Sequence, residues 1–361
     1  VFSFQTSSSI QVSTDSIPAN CPELGVEVPI ASIEKELHKL WEQDEAQTNA
    51  SLMNLAVYSE RCGGLLENSK ILRELTREHA CRALLIEIDR SVTDPSLRAW
   101  ITAHCHLAEG RKSVCCEQVA FRLTGRVTGR FRNTVFAHLN SDLPLVFWWQ
   151  GELSDVFTER LVAVIDRLII DSSSWADVKG SLNTIVANSE RNTDLIIQDL
   201  AWTRTWQYRV GIAGLFDDPI AQAALPEMKS VEIHHHPKHR NSALQILAWL
   251  STQAGWALTS QQNGIYQFTK GEATITATLV ADEASPAVGK VEIHSADVSV
   301  RVTRDPNNGH LTREIEAPHY HATSLSPCDP DNASELVALQ LSRGGKNSLY
   351  QKILPRFREL L

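Results

Sequence analysis

Three short apolar runs constrain this chain more than any other feature. They are Ala83-Leu84-Leu85-Ile86, Leu143-Pro144-Leu145-Val146-Phe147-Trp148-Trp149 and Leu168-Ile169-Ile170. Each is too short for a helix and nearly free of polar residues, the pattern of a strand covered on both faces. Helical spacing fills the segments around them. Ile33, Leu37, Leu40 and Trp41 follow a possible cap at Ser32, and Leu66, Leu72 and Leu75 lie within 65–79. Residues 51–58 read as a further strand, 127–139 and 156–165 as helices, and Ser174 as the cap of a helix from Trp175 to Asn188. Strands alternating with helices define an α/β layer. Residues 97–107 and 112–123 read as a hairpin turning at Glu109-Gly110, which makes the sheet mixed.

The pattern changes past the connector bracketed by Pro219 and Pro226. Val231 to His235 reads as a strand. Asn241 is placed to cap a helix that buries Leu244, Leu247 and Leu250 and closes at Gly255. Ile275, Ala277 and Leu279 alternate with threonines, and Val298, Val300 and Val302 alternate with polar residues, as half-buried strands do. A last helix is expected near 334–342. The expected fold class is therefore α/β (α+β): an N-terminal mixed sheet flanked by helices, and a C-terminal, mainly antiparallel sheet with a covering helix. The expected organisation is a polar tail over 1–29, an N-terminal α/β domain over 30–192, a helical connector over 193–230 and a C-terminal α/β domain over 231–361.

Net charge of -9 without a Lys/Arg block argues against a nucleic-acid partner and against a polybasic membrane patch. No apolar stretch is long enough to span a bilayer, so no membrane role is expected. The first residues lack the basic and apolar regions of a secretory signal, and the chain begins at Val1 rather than Met, as a trimmed chain or a fragment would. Seven cysteines at irregular spacing read as cytosolic thiols, so a cytoplasmic location is expected. Phosphate-loop, dinucleotide-binding, nucleophile-elbow and zinc-peptidase motifs are all missing. No cofactor is expected, and a non-catalytic role gains weight.

Three groups of residues remain as candidates for chemistry. His104/His106 and His319/His321 have the spacing of zinc-binding pairs, and His234, His235, His236 and His239 form a third group. Nothing in the sequence makes them converge, so no metal site is assigned. Cys105 lies near Cys115 if the hairpin turns at Glu109-Gly110. Cys115 and Cys116 point to opposite faces, so at most one of them meets Cys105. Cys328, in a turn-rich loop, reads as the most accessible thiol. The third group is aromatic. Trp148 and Trp149 end a strand, one of them expected in the core and the other over a helix or in a cleft. Trp202, Trp206 and Arg209 share a helical spacing that suits a core stripe and an interface alike, with Arg209 able to stack on Trp206.

Several of these stretches, in order, resemble one family. They are Ser51-Leu52-Met53-Asn54-Leu55, Cys116-Glu117-Gln118, Leu143 to Gly151, Arg167-Leu168-Ile169-Ile170-Asp171-Ser172, Asp199-Leu200-Ala201-Trp202-Thr203-Arg204, Leu215-Phe216-Asp217, Leu244 to Trp256 and Ser342-Arg343-Gly344-Gly345. Together they resemble the glucose-6-phosphate dehydrogenase assembly protein family, OpcA, over about residues 31–361. The family usually has Trp-Arg where this chain has Tyr208-Arg209, and neither the tail nor 234–239 has a clear counterpart. The resemblance implies a non-catalytic partner that promotes the active oligomer of glucose-6-phosphate dehydrogenase and raises its activity, at the entry to the oxidative pentose phosphate pathway. It also implies a cyanobacterial or actinobacterial source and, in cyanobacteria, thioredoxin-dependent control through cysteines, here Cys105, Cys115, Cys116 and Cys328. Trp202, Arg204, Trp206, Tyr208 and Arg209, with Trp148 and Trp149, are the expected partner contacts. The competing reading is a sugar-phosphate-binding protein or enzyme with its site at the Trp148-Trp149 strand end.

Overall fold

A computed structural model describes residues 17–43, 51–108, 111–125, 131–189, 192–307, 309–343 and 348–361. The fold is α/β, in two compact units that divide between Pro144 and Leu145, earlier than the boundary near 192 read from the sequence.

The first unit contains β1 (Asn20–Cys21), β2 (Gly25–Glu27), α1 (Ile33–Gln43), β3 (Met53–Ser59), α2 (Gly64–Leu75), β4 (Cys81–Asp89), β5 (Ser96–Ala108), β6 (Arg111–Thr124) and α3 (Phe131–Val135). Its strands lie in the order β1-β2-β5-β6-β4-β3. β4 runs parallel to both β3 and β6, while the β5–β6 hairpin is antiparallel, so the sheet is mixed as expected. The turn of that hairpin and the start of the expected 127–139 helix lie outside the described residues, as do residues 1–16 of the expected tail. Leu84, Leu85 and Ile86 are fully enclosed, which is why their run tolerates no polar residue. Buried Asn54 in β3 is satisfied by the 140–143 turn. Its Oδ1 accepts from the Asn140 N–H, and its Nδ2 donates to the Asn140 and Leu143 carbonyls.

Two short strands fall inside the segment read as a tail. β2 pairs antiparallel with β5, and β1 pairs with β2. Gly25 makes this possible. Its φ is 86°, and a Cβ there would sit 2.0 Å from the Ile101 carbonyl oxygen. Gly25→Ala therefore combines left-handed backbone strain with a backbone clash and is expected to cost roughly 2 kcal/mol or more of stability. Urea unfolding monitored by circular dichroism checks this, and an unchanged midpoint would refute it.

The second unit contains β7 (Leu145–Trp149), α4 (Glu159–Val162), β8 (Arg167–Ile170), α5 (Val178–Ser189), β9 (Ile196–Asp199), α6 (Leu200–Thr203), α7 (Trp206–Leu215), α8 (Pro219–Ala224), β10 (Ser230–His235), α9 (Arg240–Ala254), β11 (Ala257–Gln262), β12 (Ile265–Lys270), β13 (Ala273–Ala281), β14 (Val288–His294), β15 (Ser299–Arg304), β16 (His310–Ala317), β17 (Tyr320–Pro327), α10 (Ala333–Ser342) and α11 (Ser348–Leu360). β7, β8 and β9 are parallel neighbours. The eight later strands form a second sheet, β11-β12-β13-β10-β14-β15-β16-β17, antiparallel except at β10–β13. Along β15, Val300 and Val302 are buried while Ser299, Arg301 and Thr303 are not. α9 packs on β10 and β13, and α7 on β15 and β16. Gly255 closes α9 at φ 69°, as expected of a left-handed cap.

Several local expectations are corrected. Ser174 does not cap a helix, because Trp175 is extended and its Nε1 donates to the Gly151 carbonyl, delaying α5 to Val178. Asn241 is not the cap of α9. His239 holds that position, and Asn241 Nδ2 donates instead to the Ser172 and Ser173 carbonyls. Only Glu159–Val162 of the expected 156–165 helix is α-helical. The chain continues past α10 into α11, which was not expected.

Candidate functional site

Two parallel strands of the second unit end in an aspartate. Leu168-Ile169-Ile170 leads into Asp171, and Ile196-Ile197-Gln198 leads into Asp199. Asp199 is fully buried. One of its carboxylate oxygens accepts from the backbone N–H groups of Ser172 and Ala201, both at 3.0 Å, the second of these capping α6. The other accepts from Ser172 Oγ (2.5 Å), Gln245 Nε2 (2.7 Å) and Tyr350 OH (3.1 Å). This one side chain thereby ties the ends of β8 and β9 to α9 and α11. Burial, and then the charge of Asp171, push the Asp199 carboxyl above the ordinary range.

Asp171 behaves in the opposite way. Burial acts to raise it, but the Arg204 guanidinium, 2.9 Å away, and the Ser173 hydrogen bonds outweigh burial and hold it low. Thr203 Oγ1 donates to the Asp199 carbonyl and accepts from Gln340 Nε2, which extends the network to α10. A carboxylate as deep as Asp199 is retained only when its partners are in place. Asp171 and Asp199 are thus structural anchors of the strand ends, and all five donors on Asp199 are committed inside the unit.

The aromatic run that follows is split between inside and outside. α6 and α7 are separate helices, so Trp202 and Trp206 do not share a face. Trp202 is 3% exposed and Trp206 is 39% exposed. Arg209 stacks on Trp202, with its guanidinium carbon 3.3 Å from the ring centroid, and not on Trp206. Its Nη1 donates to the Trp202 carbonyl and to Thr205 Oγ1, which draws it inward. Burial pushes Arg209 down to about 9, still charged at neutral pH. Arg343 takes the place over Trp206, at 4.4 Å. Tyr208 is buried and donates to the Val288 carbonyl, while Arg204 is held by Asp171. Trp148 and Trp149 are both buried, the latter edge-on to Phe157 with its Nε1 on the Glu152 carbonyl. Of the seven aromatic and arginine residues singled out from the sequence, Trp206 alone is exposed. Val210, one turn further along α7, is 45% exposed beside it.

The start of α7 carries a second buried acid. Asp329 is 4% exposed and accepts from the Gln207 N–H at 2.5 Å. Burial pushes it up to about 7 against the pull of that hydrogen bond and of Arg209, Arg343 and Arg304. The folded chain thus holds a proton on Asp329 between about pH 4 and 7 that the unfolded chain has lost. Stability falls as pH rises through that window, by at most about 1.4 kcal/mol per unit. His239 opposes it. Burial lowers it from 6.5 to about 4, so its contribution rises with pH over 4 to 6.5. Asp329→Asn removes only the falling contribution. Compared with the unaltered chain, the variant should gain stability with rising pH between 4 and 7. Urea midpoints at pH 5, 6 and 7 test this, and parallel pH profiles for the two chains would refute it.

Four of the six cysteines of the first unit fall into two pairs. Cys105 stands directly opposite Cys115 in the β5–β6 register, and the two form a disulfide. Cys116 points to the other face, where its sulfur accepts from the Cys81 N–H at 3.4 Å. The Cys81 thiol also bonds it and brings Cys116 down to about 7 despite burial. Cys328 is half-buried, whereas Cys62 is exposed, so Cys328 is not the most accessible thiol. The His236 and His239 rings meet edge-on, with centroids 6.0 Å apart, while His104, His234, His235 and His321 have separate partners. His104 bonds Gln118, His234 bonds Glu232, His235 bonds the His236 carbonyl and His321 bonds Thr323, while the side chain of His106 lies outside the described residues. Among the described residues no three His, Cys, Asp or Glu side chains converge as a metal site would require, and no helix is long and apolar enough to cross a membrane.

Fold and site together define a tandem α/β protein whose densest polar cluster faces inward. Two family models match it in order, described as the N-terminal and C-terminal domains of a glucose-6-phosphate dehydrogenase subunit, over residues 72–187 and 196–354. The chain belongs to the OpcA family. It is similar to an OxPP cycle protein OpcA of Synechocystis sp., 23% identical over 310 residues, covering 80% of this chain and 65% of that protein. It is also similar to the OpcA protein of Nostoc punctiforme, 26% identical over 207 residues, covering 56% of this chain and 44% of that one. The chain thus matches under two thirds of the length of either relative. A 3-ketoreductase from Actinomadura kijaniata is alike over 85% of this chain and 95% of its own, with a TM-score of 0.48 and 11% identity, too slight a likeness to bear on fold or chemistry.

Proposed function

We propose that this chain is a non-catalytic allosteric activator and assembly factor that binds glucose-6-phosphate dehydrogenase in the cytoplasm, at the entry to the oxidative pentose phosphate pathway. The observation that carries this reading is the ordered match of both family models, which together span residues 72 to 354. The commitment of Asp171 and Asp199 to internal partners supports a role without chemistry of its own. An activator acts only through its differential affinity for the active and inactive forms of its partner. A coupling of roughly 1–3 kcal/mol changes the partner's substrate affinity about 5- to 150-fold. The contact is centred on Trp206, with Val210 beside it and Arg343 on its ring, a residue set typical of interface centres. The buried residues Trp202, Arg204, Tyr208 and Arg209 brace it from below.

Control is exerted through the Cys105–Cys115 disulfide. Cys105 is exposed, so a dithiol reductant such as thioredoxin has access to it. Steady-state kinetics of the cognate dehydrogenase, with and without this chain in oxidised and reduced form, test both parts. A lowered KM for glucose 6-phosphate or a larger oligomer is expected, with a difference between the two redox forms. Unchanged KM, kcat and oligomer size would overturn the activator reading. Equal activation by both forms would overturn redox control.

A further inference from the structure

A pocket of about 480 Å³ lies beyond the carboxyl end of β8, walled by Ser173, Trp175, Lys179, Lys238, Arg240 and Asn241. It contains neither Trp148 nor Trp149, so it is distinct from the strand-end site read from the sequence. Three cations stand on its wall, together with the Asp177 carboxylate and Leu361. Lys179 sits in the first turn of α5, Arg240 in the first turn of α9, and Lys238 just before α9. Cations at helix N-termini oppose the helix dipole. Neither helix has an acidic residue in its first turn, and no side chain caps α9. Asp177, also on the wall, directly precedes α5 and caps it by accepting from the Gly180 N–H, so the start of α9 is the one left without an acid. Among the described residues neither lysine forms an ion pair. Arg240 donates one guanidinium nitrogen to Tyr266 OH, leaving the rest of its fork without a carboxylate.

A second feature points to the kind of ligand. Asn241 is 94% buried, its exposure being only 6%. Its two hydrogen bonds among the described residues run from Nδ2, to the Ser172 and Ser173 carbonyls, which fixes the amide orientation. Asn241 is part of the pocket wall, and its Oδ1 accepts no hydrogen bond among the described residues. An acceptor on a wall that also carries three cations suits a ligand with an anion at one end and hydroxyl donors at the other. Trp175, locked by its Nε1 hydrogen bond to the Gly151 carbonyl, supplies a rigid aromatic wall. The volume lies within the range of small-molecule sites.

We propose that this pocket binds a phosphorylated polyol or sugar, its phosphate held by Lys179, Lys238, Arg240 and the start of α9, and a hydroxyl donating to Asn241. Bound phosphate would turn the unfavourable cation–dipole arrangement at α9 into a favourable one. The proposal goes beyond the partner reading and does not depend on it, because binding is measured on this chain alone.

Isothermal titration calorimetry with glucose 6-phosphate, glucose and inorganic phosphate tests it. Glucose 6-phosphate is expected to bind, and each fragment to bind at least tenfold more weakly. The double variant Lys179→Ala/Lys238→Ala, which alters two exposed side chains, should weaken glucose 6-phosphate binding by about tenfold or more. Its thermal unfolding should match that of the unaltered chain. Absence of heat at millimolar ligand would overturn the proposal. So would affinity unaffected by the lysine changes, or inorganic phosphate binding as tightly as the sugar phosphate.

Discussion

Replacing Asp199 with alanine should remove about 3–5 kcal/mol of folding stability. The substitution takes the acceptor from two backbone N–H groups, one hydroxyl, one amide and one phenol, all of them buried. None of those donors has water to turn to, and the loss extends from β8 to α11. Asp199→Asn should cost less, roughly 1–3 kcal/mol. It keeps one acceptor oxygen but turns an NH2 group toward donors. Urea unfolding of the three chains gives the ranking, and an Asp199→Ala midpoint equal to that of the unaltered chain would show that the network carries no stability. A lost activation of the dehydrogenase in this variant would be read through its stability before any role in contact is assigned.

Trp202→Ala and Trp206→Ala should fail in different ways. Trp202 is a core residue under the Arg209 guanidinium and beside Tyr350, with ring centroids 5.9 Å apart. Its truncation leaves a cavity and an unstacked buried cation, at a cost of about 3–5 kcal/mol. Trp206 touches Arg343 at the surface, so its truncation should change stability by less than about 0.5 kcal/mol. On the proposed function it should instead weaken partner binding by about 2 kcal/mol or more, some thirtyfold. Thermal unfolding and a titration against the cognate dehydrogenase separate the two effects. Full activation by Trp206→Ala at unaltered affinity would remove that residue from the contact.

The run from Asp199 to Arg209 shows how far sequence reading reached. Its residue types marked it as core or interface, and the fold divides it into buried Trp202 and exposed Trp206. The deciding detail is the break between α6 and α7, which turns Trp202 inward and Trp206 outward. Helical spacing assumes one continuous helix, so it placed both on one face and paired Arg209 with the wrong ring. Asp171 left a legible mark, an acid directly after Leu168-Ile169-Ile170, whereas Asp199 ends a strand, β9, that falls inside the segment read as a helical connector. The Asp199 partners Gln245 and Tyr350 left none, since each is an ordinary residue on a distant helix. The Cys105–Cys115 pairing was legible as a possibility because hairpin register is a local property. The phosphate-compatible pocket was not, because Lys179 and Lys238 lie far apart in the chain and meet only through the fold.

By itself, the sequence determined the α/β alternation, the mixed first sheet, the alternating strands of the second, the close of α9 at Gly255 and the family resemblance. These rest on backbone periodicity and on turn chemistry, which act over a few residues. Only the tertiary structure decided which tryptophan is exposed, which cation stacks on which ring, that Asp199 anchors four elements, and that two helix starts and three cations share one pocket. Those outcomes depend on burial and on hydrogen bonds between residues remote in sequence, where no local pattern records the partner.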